Sequence, residues 1–292
     1  MTRETHSKRI YRTPCSTGYE TNQTETPSGY MVKVYTIASG KGGTGKTTVT
    51  ANLGAMLARY GKKTCILDAD VGMANLGLIL GLDELPVTLH EVLAGKARVR
   101  DAIYEGPFGV KVVPSGLSLQ GFQQSNPDRL KDVMTDLVSE FDILILDAPA
   151  GISRNGVIPL TLADGVILVV NPEISSIVDS LKTRILTETV GGHIEGAIIN
   201  RVATSGNEFN TAQMEKLLGT RVIGVIPEDP NVRRASAGRT PIVVKYPASG
   251  ASRAFRHIAA DVAGIEYVEE EIEVVKESFV ERLARVLFRS KT

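Results

Sequence analysis

Seven short runs of β-branched and aliphatic residues, each followed by a helix-length amphipathic segment, limit what this chain can become. The runs are MVKVYTIA (31–38), TCILD (64–68), VKVVP (110–114), DILILD (142–147), GVILVV (165–170), GAIIN (196–200) and RVIGVI (221–226). Most are continuously apolar instead of alternating, as strands covered on both faces must be. Helices are expected over 46–60, closed by Gly61, over 126–139, with Asn126 as cap and Pro127 in the first position, and over 173–190, closed by Gly191 and Gly192. Such alternation implies right-handed crossovers. The expected fold is therefore a doubly wound α/β domain with a mostly parallel sheet and helices on both faces. Ligands on such sheets bind at the carboxyl ends of the strands.

Composition leaves room for one large core. The chain has 292 residues, 42% of them hydrophobic, with 33 basic against 33 acidic side chains. Zero net charge removes a whole-chain case for nucleic acid, and no specific nucleic-acid partner is expected. Cys65, inside a strand run, reads as a small core residue of a reducing cytosol, and Cys15 is remote from it. The four histidines show no metal-ligand spacing, which argues against zinc. No stretch has the roughly 18 apolar residues of a membrane span. Residues 1–29, rich in Thr, Ser and charge, read as a disordered tail, 30–268 as the folded domain, and 269–292 as a C-terminal amphipathic helix.

Chemistry concentrates in the first loop. Gly40-Lys41-Gly42-Gly43-Thr44-Gly45-Lys46-Thr47 fits G-x-x-x-x-G-K-[ST] directly between a predicted strand and helix. In such a loop, glycines let successive N–H groups turn inward on a phosphate at a helix N-terminus. Gly42, Gly43, Thr44, Gly45 and the hydroxyl residues Thr47 and Thr48 are thus candidate nucleotide contacts. Lys46 is the cation for the β- and γ-phosphates, and the Thr47 hydroxyl a ligand for Mg²⁺. The cofactors expected are ATP and Mg²⁺. Lys41 is superfluous to that cradle. Asp68 and Asp70, in DADVGMANLG, leave a strand at its carboxyl end, as does Asp147 in ILILDAPAG. Two carboxylates near one metal divide naturally into an outer magnesium ligand and a water-positioning group.

The loop KGGTGKTT closely resembles the variant phosphate loop of the MinD/ParA family of ATPases. The likeness to the MinD proteins extends over 32–270, through DADVGMANLGLILG, LDAPAGI, VNPEISSIVDS (170–180) and VIGVIPEDPNVRRAS (222–236). It implies that Lys41 reaches across a homodimer to phosphates bound by the other subunit, so that hydrolysis is slow until two ATP-loaded copies meet. A cation delivered in trans is worth roughly 10³–10⁵ in rate. It implies further that Asp70 positions the attacking water and that Asp68 and Asp147 hold the magnesium shell. Asn171 and Asn200 are placed by it at the adenine, Asn200 reading the base with its amide, and Pro227, Glu228 and Asp229 beside the ring. An activator or effector protein would dock on the dimer face.

The C-terminal stretch sets Ile272, Val275, Phe279, Leu283 and Val286 at steps of three or four, with Arg282, Arg285, Arg289 and Lys291 near its tip. It is too short to span a bilayer and suits lying in an interface of anionic lipid, with about 278–290 as the anchor. In MinD proteins a C-terminal amphipathic helix does that. The expectation is a cytoplasmic ATPase, reversibly peripheral on the inner face of the cytoplasmic membrane, that regulates division or positions cellular machinery. A DNA-partitioning ATPase of the ParA type is the alternative, with Arg233 and Arg234 its slender support. An iron–sulfur carrier fails for want of placed cysteines, and a non-hydrolysing scaffold is opposed by the intact set Lys41, Asp70 and Asp147.

Overall fold

The computed structural model describes residues 32–82, 84–151, 154–203 and 210–269. The predicted N-terminal tail (1–29) and, apart from Glu269, the C-terminal amphipathic helix (269–292) lie outside the described residues. The strands are β1 Lys33–Ala38, β2 Thr64–Asp68, β3 Tyr104–Glu105, β4 Lys111–Val113, β5 Ile143–Asp147, β6 Gly165–Val170, β7 Ile194–Val202 and β8 Val222–Pro227. The helices are α1 Lys46–Arg59, α2 Leu76–Ile79, α3 Leu89–Leu93, α4 Leu119–Gln124, α5 Leu130–Leu137, α6 Arg154–Leu162, α7 Ile174–Thr189, α8 Thr211–Leu218, α9 Pro230–Ala237, α10 Ile242–Lys245 and α11 Gly250–Ala263.

These eight strands form one sheet in the order β3-β4-β2-β5-β1-β6-β7-β8. All seven expected strands are present and parallel, and the short β3, which the sequence reading did not anticipate, runs antiparallel at the edge. The segment expected as one helix over 126–139 divides. The Asn126 side chain accepts the Asp128 N–H, Pro127–Arg129 form a 3₁₀ turn, and α5 ends at Leu137. A proline one residue inside a cap sets φ for a helix start without donating its own hydrogen bond, so a tight first turn costs little there.

Alternate strand residues feed the two faces. Ile37, Ile145, Ile167, Val169 and Ile198 pack beneath α1, α10 and α11. Leu144 and Leu146 face α3 and α5, while Val166, Leu168 and Val170 face α6, α7 and α8. Continuous burial of β2, β5 and β6 explains their unbroken apolar runs. The functional consequence is one of register: Asp68 on β2 pairs with Asp147 on β5, which pairs with Ile37 on β1. Two carboxylates thereby arrive together where β1 gives way to the glycine-rich loop.

Candidate functional site

The loop between β1 and α1 ends on Gly45, which caps the helix in the left-handed region at φ 97°, a backbone that residues with a β-carbon rarely adopt. Asn200 lies against it, and its amide donates to the Thr44 carbonyl at 2.7 Å. On the other side, a β-carbon at Gly40 would fall 2.1 Å from the backbone of Asp179, so α7 packs directly on the loop. The loop is thus clamped by β7 and α7.

Its floor is acidic. Lys46 is buried with its ammonium 3.6 Å from Asp147 Oδ1, which also accepts the Thr50 hydroxyl at 3.2 Å, and the Thr47 hydroxyl adds its pull on the same carboxylate. Burial pushes Asp147 upward in pKa, against the opposing pull of Lys46 and of the Thr47 and Thr50 hydroxyls. Asp68 is driven well above the usual carboxylate range, first by burial and then by the charge of Asp147, with the Leu76 N–H pulling the other way. Its oxygens accept the N–H groups of Asp70 and Leu76 at 3.2 Å each, and Asp70 Oδ1 accepts the Met73 N–H at 3.1 Å. Asp68 therefore shapes the loop that carries Asp70.

Lys46, Thr47 and Asp70 border an open cavity of about 850 Å³ lined by residues 41–48, the 70–73 loop, Asn155, Arg201 and Arg239. Asp147 Oδ2 and Thr44 Oγ1 are buried without a hydrogen-bond partner. An all-oxygen set of Thr47, Asp147 and Asp68, with one carboxylate oxygen uncommitted, fits Mg²⁺, a cation that takes oxygen ligands and retains water. A second, small cavity adjoins at Gly45 and Thr48 and is walled by Asn200, Pro227, Glu228 and Asp229, the positions expected at the base. Within it Asp229 also caps α9 through the Asn231 N–H, and Glu228 lies 3.7 Å from Arg233. Asn171 is buried at the end of β6, with its side-chain oxygen unpartnered, and lines neither cavity.

Lys41 stands at the rim, its ammonium 2.9 Å from both Glu173 Oε2 and Ser175 Oγ. Neither partner was singled out from sequence, because only folding brings α7 onto the loop. Arg201 and Arg239 were missed as well. Both hold left-handed backbones (φ 59° and 50°) while lining the cavity, a strain that concentrates at functional sites. Arg201 sits where the β7–β8 register shifts, beside Asn200, so the irregularity turns one side chain to the loop and the next to the cavity. The adjacency of Asn200 and Arg201 was visible in the sequence; the bulge was not.

A glycine-rich loop at the central strand of a parallel sheet, with a buried lysine and carboxylates at the strand ends, defines a nucleotide-binding protein of the phosphate-loop class. The chain belongs to the family of the CobQ/CobB/MinD/ParA nucleotide binding domain, whose model matches residues 35–242. It is 50% identical over 258 residues, 88% of this chain and 97% of the relative, to an uncharacterized ATP-binding protein of Methanocaldococcus jannaschii. Among solved structures it is similar to the cell division ATPase MinD of Pyrococcus furiosus, at 38% identity and a TM-score of 0.77, covering 80% of this chain and 99% of that one. It is similar also to septum site-determining protein MinD of Pyrococcus horikoshii complexed with Mg-ADP, at 37% identity and a TM-score of 0.76, covering 80% and 96%.

Proposed function

We propose that this protein is a MinD-like ATPase that binds ATP with Mg²⁺, pairs with a second copy across the nucleotide, and holds to anionic lipid on the inner face of the cytoplasmic membrane until hydrolysis releases it. Its service is to place the division site or another cellular machine. The observation that carries this reading is the division of labour between two lysines. Lys46 is buried against Asp147 on the cavity floor, whereas Lys41 stays at the rim, bonded to α7 of its own chain. A cation at the mouth is positioned to serve a neighbour. Ile174 and Val178, on the same helix, are exposed apolar side chains beside it, as a face covered by a second copy would be.

Mg²⁺ supplies neutralisation of charge on the β- and γ-phosphates. The chain's own groups do the rest. The N–H groups of the loop and Lys46 hold the phosphates, Asn200 keeps the loop in shape, and Asp70 orients the attacking water. Transfer of the γ-phosphoryl group spreads negative charge outward, which the partner copy's Lys41 stabilises. An ATP-bound dimer presents two C-terminal segments to the bilayer. Making the second insertion intramolecular raises avidity by roughly 10²–10⁴, whereas a single short helix binds weakly because ordering it offsets much of the gain.

Sizing with a non-hydrolysable ATP analogue tests the core of this. Lys41→Ala is expected to bind nucleotide and remain monomeric, and a wild-type dimer in that variant would remove the trans-lysine role. Sedimentation with anionic vesicles, with plasmid DNA as control, tests the rest. The ATP form is expected to pellet with vesicles and the ADP form to stay in solution. Phe279→Glu or Leu283→Glu is expected to abolish pelleting at unchanged ATP affinity. Equal vesicle binding in both nucleotides would end the membrane switch.

A further inference from the structure

His90 belongs to none of the roles above, yet it is 1% exposed and packs under the loop that carries Asp70. Its Nε2 lies 2.9 Å from the carbonyl oxygen of Val71. A carbonyl only accepts, so the ring proton is on Nε2. Nδ1, on the other edge, is buried with no hydrogen-bond partner. It faces Gly116 and Gly121, where a β-carbon would come within 2.7 and 2.8 Å of it. Two glycines therefore reserve the space this ring occupies. The ring's own anchor is firm, since Thr88 Oγ1 accepts the His90 N–H and Glu91 accepts both the Thr88 N–H and its hydroxyl, a reciprocal cap on α3.

The 70–73 loop needs such an anchor. Its other bonds among the described residues are local: Asp70 N–H to Asp68 Oδ1, Met73 N–H to the carbonyl and carboxylate of Asp70, and the Asn75 amide to the Met73 carbonyl. They give the loop its turn but leave its placement over the cavity to contacts from outside. His90 provides one, at the residue next to Asp70. Phe122, adjacent to Gly121 on α4, closes from above, its ring 3.6 Å from where a β-carbon at Gly72 would lie.

We propose that His90 is a positioning residue for hydrolysis, tethering the Val71 carbonyl so that Asp70 is presented at the height over the phosphate loop that turnover requires. This rests on the water-positioning role of Asp70 given above. His90 does not line the nucleotide cavity, so its effect falls on the rate of hydrolysis and leaves affinity alone. Leaving a buried carbonyl without a donor carries a penalty that corresponds to roughly 5- to 100-fold in rate when it is expressed in the transition state.

The test uses the full chain, with single-turnover hydrolysis at saturating ATP–Mg²⁺ and nucleotide Kd by equilibrium titration. His90→Leu, which keeps bulk and removes the donor, is expected to slow hydrolysis roughly 5- to 100-fold with Kd within about twofold. His90→Gln, whose amide can donate from near the Nε2 position, is expected to recover most of the rate. Gly121→Ala leaves the histidine in place and pushes a methyl against Nδ1, so it is expected to slow turnover in the same direction even though alanine favours a helix such as α4. A wild-type rate in both His90→Leu and Gly121→Ala, no advantage of Gln over Leu, or a loss of affinity equal to the loss of rate would each overturn the tether. Asp70→Ala separates the two levels. If it hydrolyses normally, the role of Asp70 itself falls; if it is inactive while the His90 and Gly121 variants are normal, only the tether falls.

Discussion

Replacing Lys46 with methionine keeps most of the side-chain volume and removes the one ammonium that faces Asp147 on the cavity floor. In the native protein that ammonium is 3.6 Å from Oδ1 and both groups are buried. Without it, burial works unopposed by any nearby cation, and the Thr47 and Thr50 hydroxyls only partly compensate. The cheapest response is proton uptake by Asp147 in the folded state. An unfolded chain has this carboxyl at its ordinary 3.8, so above that pH folding must bind a proton that the unfolded chain does not hold. A carboxyl raised on folding favours the folded state least at high pH, and stability falls as pH rises from 3.8 toward the folded value. Burial already raises Asp147 in the wild type, so only the further rise on losing Lys46 enters the difference, and each pH unit of it is worth up to about 1.4 kcal/mol. Urea unfolding of Lys46→Met and wild type at pH 5, 6, 7 and 8 reads it. The deficit is expected to widen by up to about 1.4 kcal/mol per unit. Asp68 carries its burial in both proteins and largely drops out of the difference. Adding Asp147→Asn to Lys46→Met is expected to flatten the pH dependence. A deficit that is constant from pH 5 to 8, or that shrinks with rising pH, would refute the coupling of these two groups.

The same Lys46→Met protein is expected to lose tight ATP–Mg²⁺ binding in equilibrium titration, because the cation on the β- and γ-phosphates is gone. Asn200→Ala removes the donor to the Thr44 carbonyl and is expected to cost about 1–3 kcal/mol in thermal or urea unfolding, along with weaker nucleotide binding. Asp70→Ala is expected to bind ATP and accumulate as a dimer with little phosphate release, seen by sizing alongside a phosphate assay. The Cys65 thiol, pushed up to about 12 by burial, is expected to resist maleimide at pH 8 until denaturant is added, as peptide mapping of the label would show.

Sequence alone determined the class of this protein. Continuous apolar runs separated by helix-length segments specify a parallel sheet covered on both faces, because only burial on both sides tolerates strands without polar positions. The loop from Gly40 to Thr47 declared a phosphate cradle because its chemistry is local: glycines, a lysine and a hydroxyl within eight residues. Asp68, Asp70 and Asp147 were legible for a related reason, since a carboxylate after an apolar run falls at a strand's carboxyl end, where such sheets bind ligands. What the chain could not reveal by itself was everything set by elements distant in sequence. Register across β2 and β5 puts Asp68 beside Asp147, whose charge adds to the burial that raises the Asp68 carboxyl. Lys41 is 132 residues from Glu173, and Asn200 is 156 from Thr44. His90 resembled any core histidine until the fold carried it under Val71 between two glycines. Hydrogen bonds depend on separations in space, and only packing of helices on the sheet fixes those separations for residues so far apart along the chain.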